Sequence, residues 1–275
     1  MLRFLTAGES HGPGLTAIIE GLPAGLPILE ESINQDLRRR QKGYGSGGRM
    51  RIEKDQARIR GGVLNGLSTG APVALQIENR DWVNWRDKEI RPMTIPRPGH
   101  ADLSGAVKYG YRDLRLALER ASARETAARV AVGALCRRLL TEFGVTIGSY
   151  VVQIGRVAAR LADDLAYADR FAQAENSPVR CPESEASARM ERCIREAMEA
   201  KDTLGGVFEI VALGVPPGLG SHVHWDRRLD ARLMCAVGSI QAIKGVEIGP
   251  AFENAAKYGT EVHGEFLLDL SLIHI

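Results

Sequence analysis

Ser122-Ala123-Arg124-Glu125-Thr126-Ala127-Ala128-Arg129-Val130-Ala131-Val132-Gly133-Ala134-Leu135-Cys136-Arg137-Arg138-Leu139-Leu140 carries the strongest helical signature in the chain. Ala127, Val130, Ala131, Ala134, Leu135, Leu139 and Leu140 recur at the spacing of one helix face, and Gly144 supplies the stop. Ser122 followed by Glu125 has the pattern of a capping box, so this helix start reads either as an ordinary cap or as an anion site beside Arg120 and Arg124. On its N-terminal side lie short β-like runs, Arg3 to Thr6, Leu15 to Glu20, Ala57 to Gly61 and Pro72 to Ile77, with an amphipathic helix predicted over Glu30 to Arg40. On its C-terminal side strands are predicted over Thr146 to Val157 and Gly206 to Val215. Helices are predicted at Asp163 to Ala174, Glu183 to Lys201 and Arg228 to Ala242. Short strands alternate with long helices, and neither G-x-G-x-x-G after a first strand nor G-x-x-x-x-G-K-[ST] is present. The pattern is therefore α+β, not a Rossmann domain or a P-loop. No internal repeat or linker divides it, so residues 1–269 are expected to form a single domain.

The 275 residues are 44 % hydrophobic, enough for a substantial core. Thirty-six basic residues against thirty-four acidic ones leave a formal charge of +2. No global field points to nucleic acid or a membrane surface, and any basic site must come from local clustering. Such a cluster exists: Arg38, Arg39, Arg40 and Lys42 lead into the loop Gly43-Tyr44-Gly45-Ser46-Gly47-Gly48, followed by Arg49 and Arg51. It reads either as a solvated helix end or as an anion site. Cys136, Cys181, Cys193 and Cys235 have no Cys-x-x-Cys spacing, so neither a structural metal nor a disulfide scaffold is expected. No basic-then-apolar leader opens the chain and no apolar run approaches ~18 residues, which makes the cytoplasm the expected compartment.

Two histidines sit in turns rich in glycine and proline. His11 lies in Ala7-Gly8-Glu9-Ser10-His11-Gly12-Pro13 and His100 in Arg97-Pro98-Gly99-His100-Ala101-Asp102. Either imidazole alone is more often structural than catalytic. Together, on shaped loops with arginines nearby, they suit an anionic substrate that needs proton transfer.

These motifs, in this order, resemble those of chorismate synthase over nearly the whole chain. They are the His11 segment, Asp36-Leu37-Arg38-Arg39-Arg40-Gln41, Thr69-Gly70-Ala71-Pro72, the His100 segment, Arg120 to Ala127, and Ser239-Ile240-Gln241-Ala242-Ile243-Lys244-Gly245. The resemblance implies a lyase that converts 5-enolpyruvylshikimate 3-phosphate to chorismate and phosphate by 1,4-anti elimination, a step of aromatic biosynthesis. It implies reduced FMN as cofactor, with NADPH as the flavin reductant in only some members. It also implies an α+β fold with a helical core between antiparallel sheets, and a homotetramer.

By position, His11 resembles the family's proton donor to the leaving phosphate, and His100 the histidine near the flavin pyrimidine edge. Ser10, Arg40, Arg49, Arg97 and Arg124 resemble its substrate-binding set. Arginine suits this role because its planar fork engages phosphate and carboxylate bidentately. Arg120, Ala121 and Ser122, together with Gln241 and Ala242, resemble its flavin-contacting segments, and Arg40 and Ser46 its cofactor loop. Ser46 stands where many relatives carry an arginine, Ala121 replaces a common serine, and the segment between Ile77 and Arg97 is short.

Relatives continue past Glu265, whereas this chain ends in Leu270-Ser271-Leu272-Ile273-His274-Ile275, which reads like a translated sequencing adapter. Residues 270–275 are accordingly expected to be non-native and the truncated chain inactive alone. The competing readings are a generic flavin-binding oxidoreductase and a non-catalytic fragment.

Overall fold

The computed structural model describes residues 2–45 and 52–263. Ser46, Arg49, Arg51 and the tail 270–275, all singled out in the sequence, lie outside the described residues. The chain forms two compact units, Met1–Val215 and Pro216–Ile275.

In the first unit, β1 (Arg3–Ala7) and β2 (Gly14–Glu20) form a hairpin, followed by helix α1 (Glu30–Gln41). Then come β3 (Ala57–Gly61), the small hairpin β4 (Val63–Leu64) and β5 (Leu67–Ser68), and β6 (Val73–Glu78). Strands β1, β2, β6 and β3 build an antiparallel sheet in that order. Leu15, Ala17 and Ile19 of β2 stand opposite Ile77, Leu75 and Val73 of β6, and all six are buried. Because side chains alternate across a strand, this register turns one apolar face inward. Two helices, α2 (Asp102–Tyr109) and α3 (Arg115–Ala121), follow, and a 3₁₀ turn at Ala123–Glu125 leads into α4 (Thr126–Thr141). Ile33 and Leu37 of α1 join Ala127, Ala128, Ala131, Val132 and Leu135 of α4 in the core on that face. Each fully buried Leu or Ile stabilises by about 1.5–3 kcal/mol, and the alanines let α4 lie close.

A second antiparallel sheet, in the order β8-β7-β9, comprises β7 (Thr146–Ile154), β8 (Val157–Ala158) and β9 (Gly206–Leu213). Helices α5 (Tyr167–Asn176) and α6 (Ser184–Glu199) accompany it. Its small core gathers Val179, Cys181, Ala186 and Met190 against Val151, Ile154 and Val157. Helices and antiparallel sheets thus share the unit, and the fold is α+β.

The sequence reading and the structure differ in particular places. The predicted capping box forms by half: Ser122 Oγ accepts from the Arg124 N–H at 3.3 Å, while the Ser122 N–H donates to the Leu118 carbonyl at 3.0 Å instead of to Glu125. The helix predicted from Asp163 begins at Tyr167, because a turn closes first where the Leu165 N–H meets the Ala162 carbonyl. Helices α2 and α3 were not foreseen.

In the second unit, α7 (Leu229–Gly238) stops before Ala242, after which the chain turns through Ile240 and Ile243. The short helices α8 (Ala251–Asn254) and α9 (Gly259–Val262) follow. Glycine at the end of α7 disfavours continuation.

No helix among the described residues is long and apolar enough to cross a membrane. Those residues contain no group of three or more side chains able to hold a metal ion, and the four cysteines are free.

Candidate active site

The His11 turn joins β1 to β2, and its shape starts from Gly8. That residue has φ +107°, and a Cβ there would lie 2.3 Å from the Gly14 carbonyl oxygen. Only glycine meets both demands. The Asn79 amide, 4 % exposed at the end of β6, donates to the carbonyls of Glu9 (3.1 Å), Ser10 (3.4 Å) and Gly12 (2.7 Å). Behind it the Arg124 Nε donates to Asn79 Oδ1 at 2.8 Å, and Arg124 Nη1 donates to Asp55 at 2.6 Å. The turn is thus bolted to the buried start of α4.

Within this turn the His11 backbone N–H donates to Glu119 Oε2 at 2.7 Å, and the ring Nδ1 lies 2.9 Å from Glu119 Oε1. The Trp85 ring is tilted against the imidazole, with centroids 4.3 Å apart. A cavity of about 200 Å³ opens here, lined by His11, Trp82, Trp85, Ile90, Arg115 and Glu119 among others. A half-buried imidazole beside aromatic walls and an arginine can pass a proton to an anionic leaving group.

Several residues singled out in the sequence gather around His11. Ser122 Oγ donates to the buried Ser10 Oγ at 3.0 Å. Arg120 donates to the carbonyls of Gly8 (3.3 Å) and Thr6 (2.8 Å), yet its side chain stays 46 % exposed. The adjoining Ala121 is exposed. Arg40 donates to the Ala123 carbonyl at 3.1 Å and to Asp55 at 3.3 Å. Arg124, placed in the substrate set by resemblance, is buried and committed to Asn79 and Asp55, so its visible work is to brace the His11 turn.

His100 is exposed, with its Nδ1 2.9 Å from the Pro98 carbonyl in the same turn. Arg97 grips Asp102 with Nε and Nη2, each at 2.9 Å, and its backbone N–H adds a third bond at 3.0 Å. This staple closes the turn ahead of α2. Gly105 then lets α2 approach α3, since a Cβ there would be 2.7 Å from Ala117 Cβ.

The Arg97 guanidinium hydrogen bonds hold the Asp102 carboxyl well below the usual carboxylate range, at about 2, against the opposing effect of burial. A carboxylate depressed in the folded state stabilises fully above its unfolded value, and that stabilisation is lost as pH falls through the folded one. Asp102→Asn is therefore expected to lower stability near neutral pH by about 1–3 kcal/mol. It should also flatten the acid limb of Tm against pH between about 4 and 2. Parallel Tm-versus-pH curves for both proteins would refute this.

In the second unit, Gln241 is half-buried, and Ala242 is exposed with φ +69°. A non-glycine residue in the left-handed region carries backbone strain.

Sequence reasoning missed Glu119, Asn79, Asp55 and Trp85. Glu119 precedes the Arg120 segment directly, and an acid beside a flavin-type motif was a usable signal. Asn79 and Asp55 gave none.

The family model for chorismate synthase matches residues 2–273. The chorismate synthase of Aquifex aeolicus is 56 % identical, covering 96 % of this chain and 70 % of its own length. That of Geobacter metallireducens is also 56 % identical, over 99 % of this chain and 72 % of its own length. A crystal structure of chorismate synthase superposes with a TM-score of 0.83 at 52 % identity, covering 96 % of this chain and 74 % of that one. A match of this extent, on a fold that places the His11 turn, Arg120 and Ser122 together, means that the chain belongs to the chorismate synthase family, lyases of aromatic amino-acid biosynthesis.

Proposed function

We propose that this chain carries the site of the family's elimination, with reduced FMN bound. It would expel phosphate from 5-enolpyruvylshikimate 3-phosphate with loss of a ring proton to give chorismate. The observation that carries this reading is the convergence of Ser10, Arg120 and Ser122 on the His11 turn, whose imidazole lines an aromatic-walled cavity. His11 donates a proton to a phosphate oxygen, which makes phosphate the better leaving group. Arg40, Arg49 and Arg97 hold the substrate's anionic groups, and Arg124 keeps the turn in register beneath them.

The residues present fit a flavin. Arg120 is a pinned yet accessible cation and Ser122 presents a hydroxyl beside it; Gln241 and Ala242 are assigned to the flavin by the family resemblance alone. His100, on an exposed turn, stabilises negative charge on the reduced ring edge. When bound, reduced FMN supplies transient electron density for cleavage of the C–O bond. Arg40 and Ser46 are assigned to the cofactor by the family resemblance, with NADPH as a candidate reductant. The reading includes a cytoplasmic homotetramer and one chorismate synthase domain over 1–269.

Anaerobic incubation of the chain, joined after Asp269 to a family C-terminal part, with the substrate and dithionite-reduced FMN should release chorismate and phosphate in equal amounts with no net flavin oxidation. Flavin oxidation without chorismate would overturn the reading in favour of an oxidoreductase.

A further inference from the structure

We propose that Glu119 is the positioning residue for His11, fixing which ring nitrogen works; this rests on the reading of His11 as the proton donor. The carboxylate takes the His11 backbone N–H on Oε2 and faces the ring Nδ1 with Oε1, at 2.7 and 2.9 Å. Both bonds cross from α3 to a turn 108 residues earlier. The Ser10 N–H adds a third tie, to the Glu119 carbonyl at 3.1 Å. One residue therefore fixes the backbone of the turn and the rotation of the ring together. The Glu119 side chain is 12 % exposed, and Arg115 Nη2 lies 3.5 Å from the same Oε1, so its charge is held in place and partly balanced.

An ionised carboxylate can only accept, so Nδ1 must carry the proton in both states of the ring. The imidazole then gives up the proton on Nε2, which has no hydrogen-bond partner among the described residues. It returns to neutral with Nδ1–H still on Glu119. The Nε2–H bond breaks, the phosphate O–H bond forms, and no tautomer exchange intervenes. Without the carboxylate, a neutral imidazole prefers its proton on Nε2, which leaves that nitrogen a poor acceptor for its next proton. Holding a histidine through its second nitrogen is a general way to set its tautomer.

The test is ¹⁵N NMR of the histidine-labelled protein above the pH at which the ring is charged, with the His11 signals assigned by their loss in His11→Gln. Wild-type His11 should show a protonated Nδ1 and an unprotonated Nε2. Glu119→Ala should revert to Nε2–H and lower kcat by about 10- to 100-fold, with KM changing by less than about 3-fold. Glu119→Gln offers one accepting oxygen to two donors, the His11 backbone N–H and Nδ1–H, and so should fall between wild type and Glu119→Ala in both tautomer and kcat. An Nε2–H ring in the active wild type would overturn the assignment without any variant. Retention of Nδ1–H in folded Glu119→Ala would do the same. Wild-type turnover by His11→Ala would instead remove the proton-donor reading and with it the place of Glu119 in catalysis.

Discussion

His11→Ala should lower the rate of phosphate elimination by about 10²-fold or more, the usual contribution of a positioned acid. The ring borders the cavity, is braced by Trp85 and Glu119, and has no hydrogen-bond partner on Nε2 among the described residues. Removing it takes away a proton and little of the frame, because Gly8, Ser10 and the Asn79 amide still shape the turn. The loss should fall on kcat, with FMN affinity changing less than in His100→Ala. Steady-state kinetics and flavin titration of both variants check this, and wild-type turnover in both would remove the histidines from the mechanism.

Arg124→Ala should destabilise the protein by about 3–5 kcal/mol, the range for breaking a buried ion pair from one side. The guanidinium is 5 % exposed and the Asp55 carboxylate 0 %, so truncation leaves that carboxylate out of water with the longer contact to Arg40, 3.3 Å, as its remaining cation among the described residues. Asn79 Oδ1 loses its donor in the same step. For a domain of this size the midpoint of thermal unfolding should fall by roughly 10 °C. Arg124→Lys should lie between, since it keeps the charge but not the fork that reaches Asn79 and Asp55 together. Thermal melts followed by circular dichroism decide the matter. An unchanged midpoint with a raised KM would return Arg124 to the substrate clamp.

The legible parts of this fold are those with a period. Strands β2 and β6 alternate because one face of their sheet is buried, and α4 repeats at helical spacing because one stripe of it is. Helices α2 and α3 escaped because they are short, and their definition comes from distant partners: the Arg97 staple on Asp102, and the close fit of Gly105 on Ala117. The site divides in the same way. Ser10, His11, Arg120 and Ser122 lie in motifs whose resemblance to a family could be read directly. Glu119 reaches back 108 residues and Arg124 reaches Asp55 across 69, and a charge pair of that separation leaves no periodic trace in sequence. For the same reason the burial of Arg124 was invisible in the sequence, where the motif alone placed it in the substrate set.

The single amide of Asn79 ties chemical ageing to the site. Its NH₂ group faces three carbonyl oxygens of the His11 turn, and only a donor can sit there. Hydrolysis to aspartate would replace that donor with an anionic oxygen against three partial negative charges, and would at the same time set a third carboxylate, beside Asp55 and Glu53, against Arg124. The turn would be pushed outward while its foundation tightened. Deamidation at this one buried position would thus dismantle the proton-transfer geometry in a molecule whose core still holds.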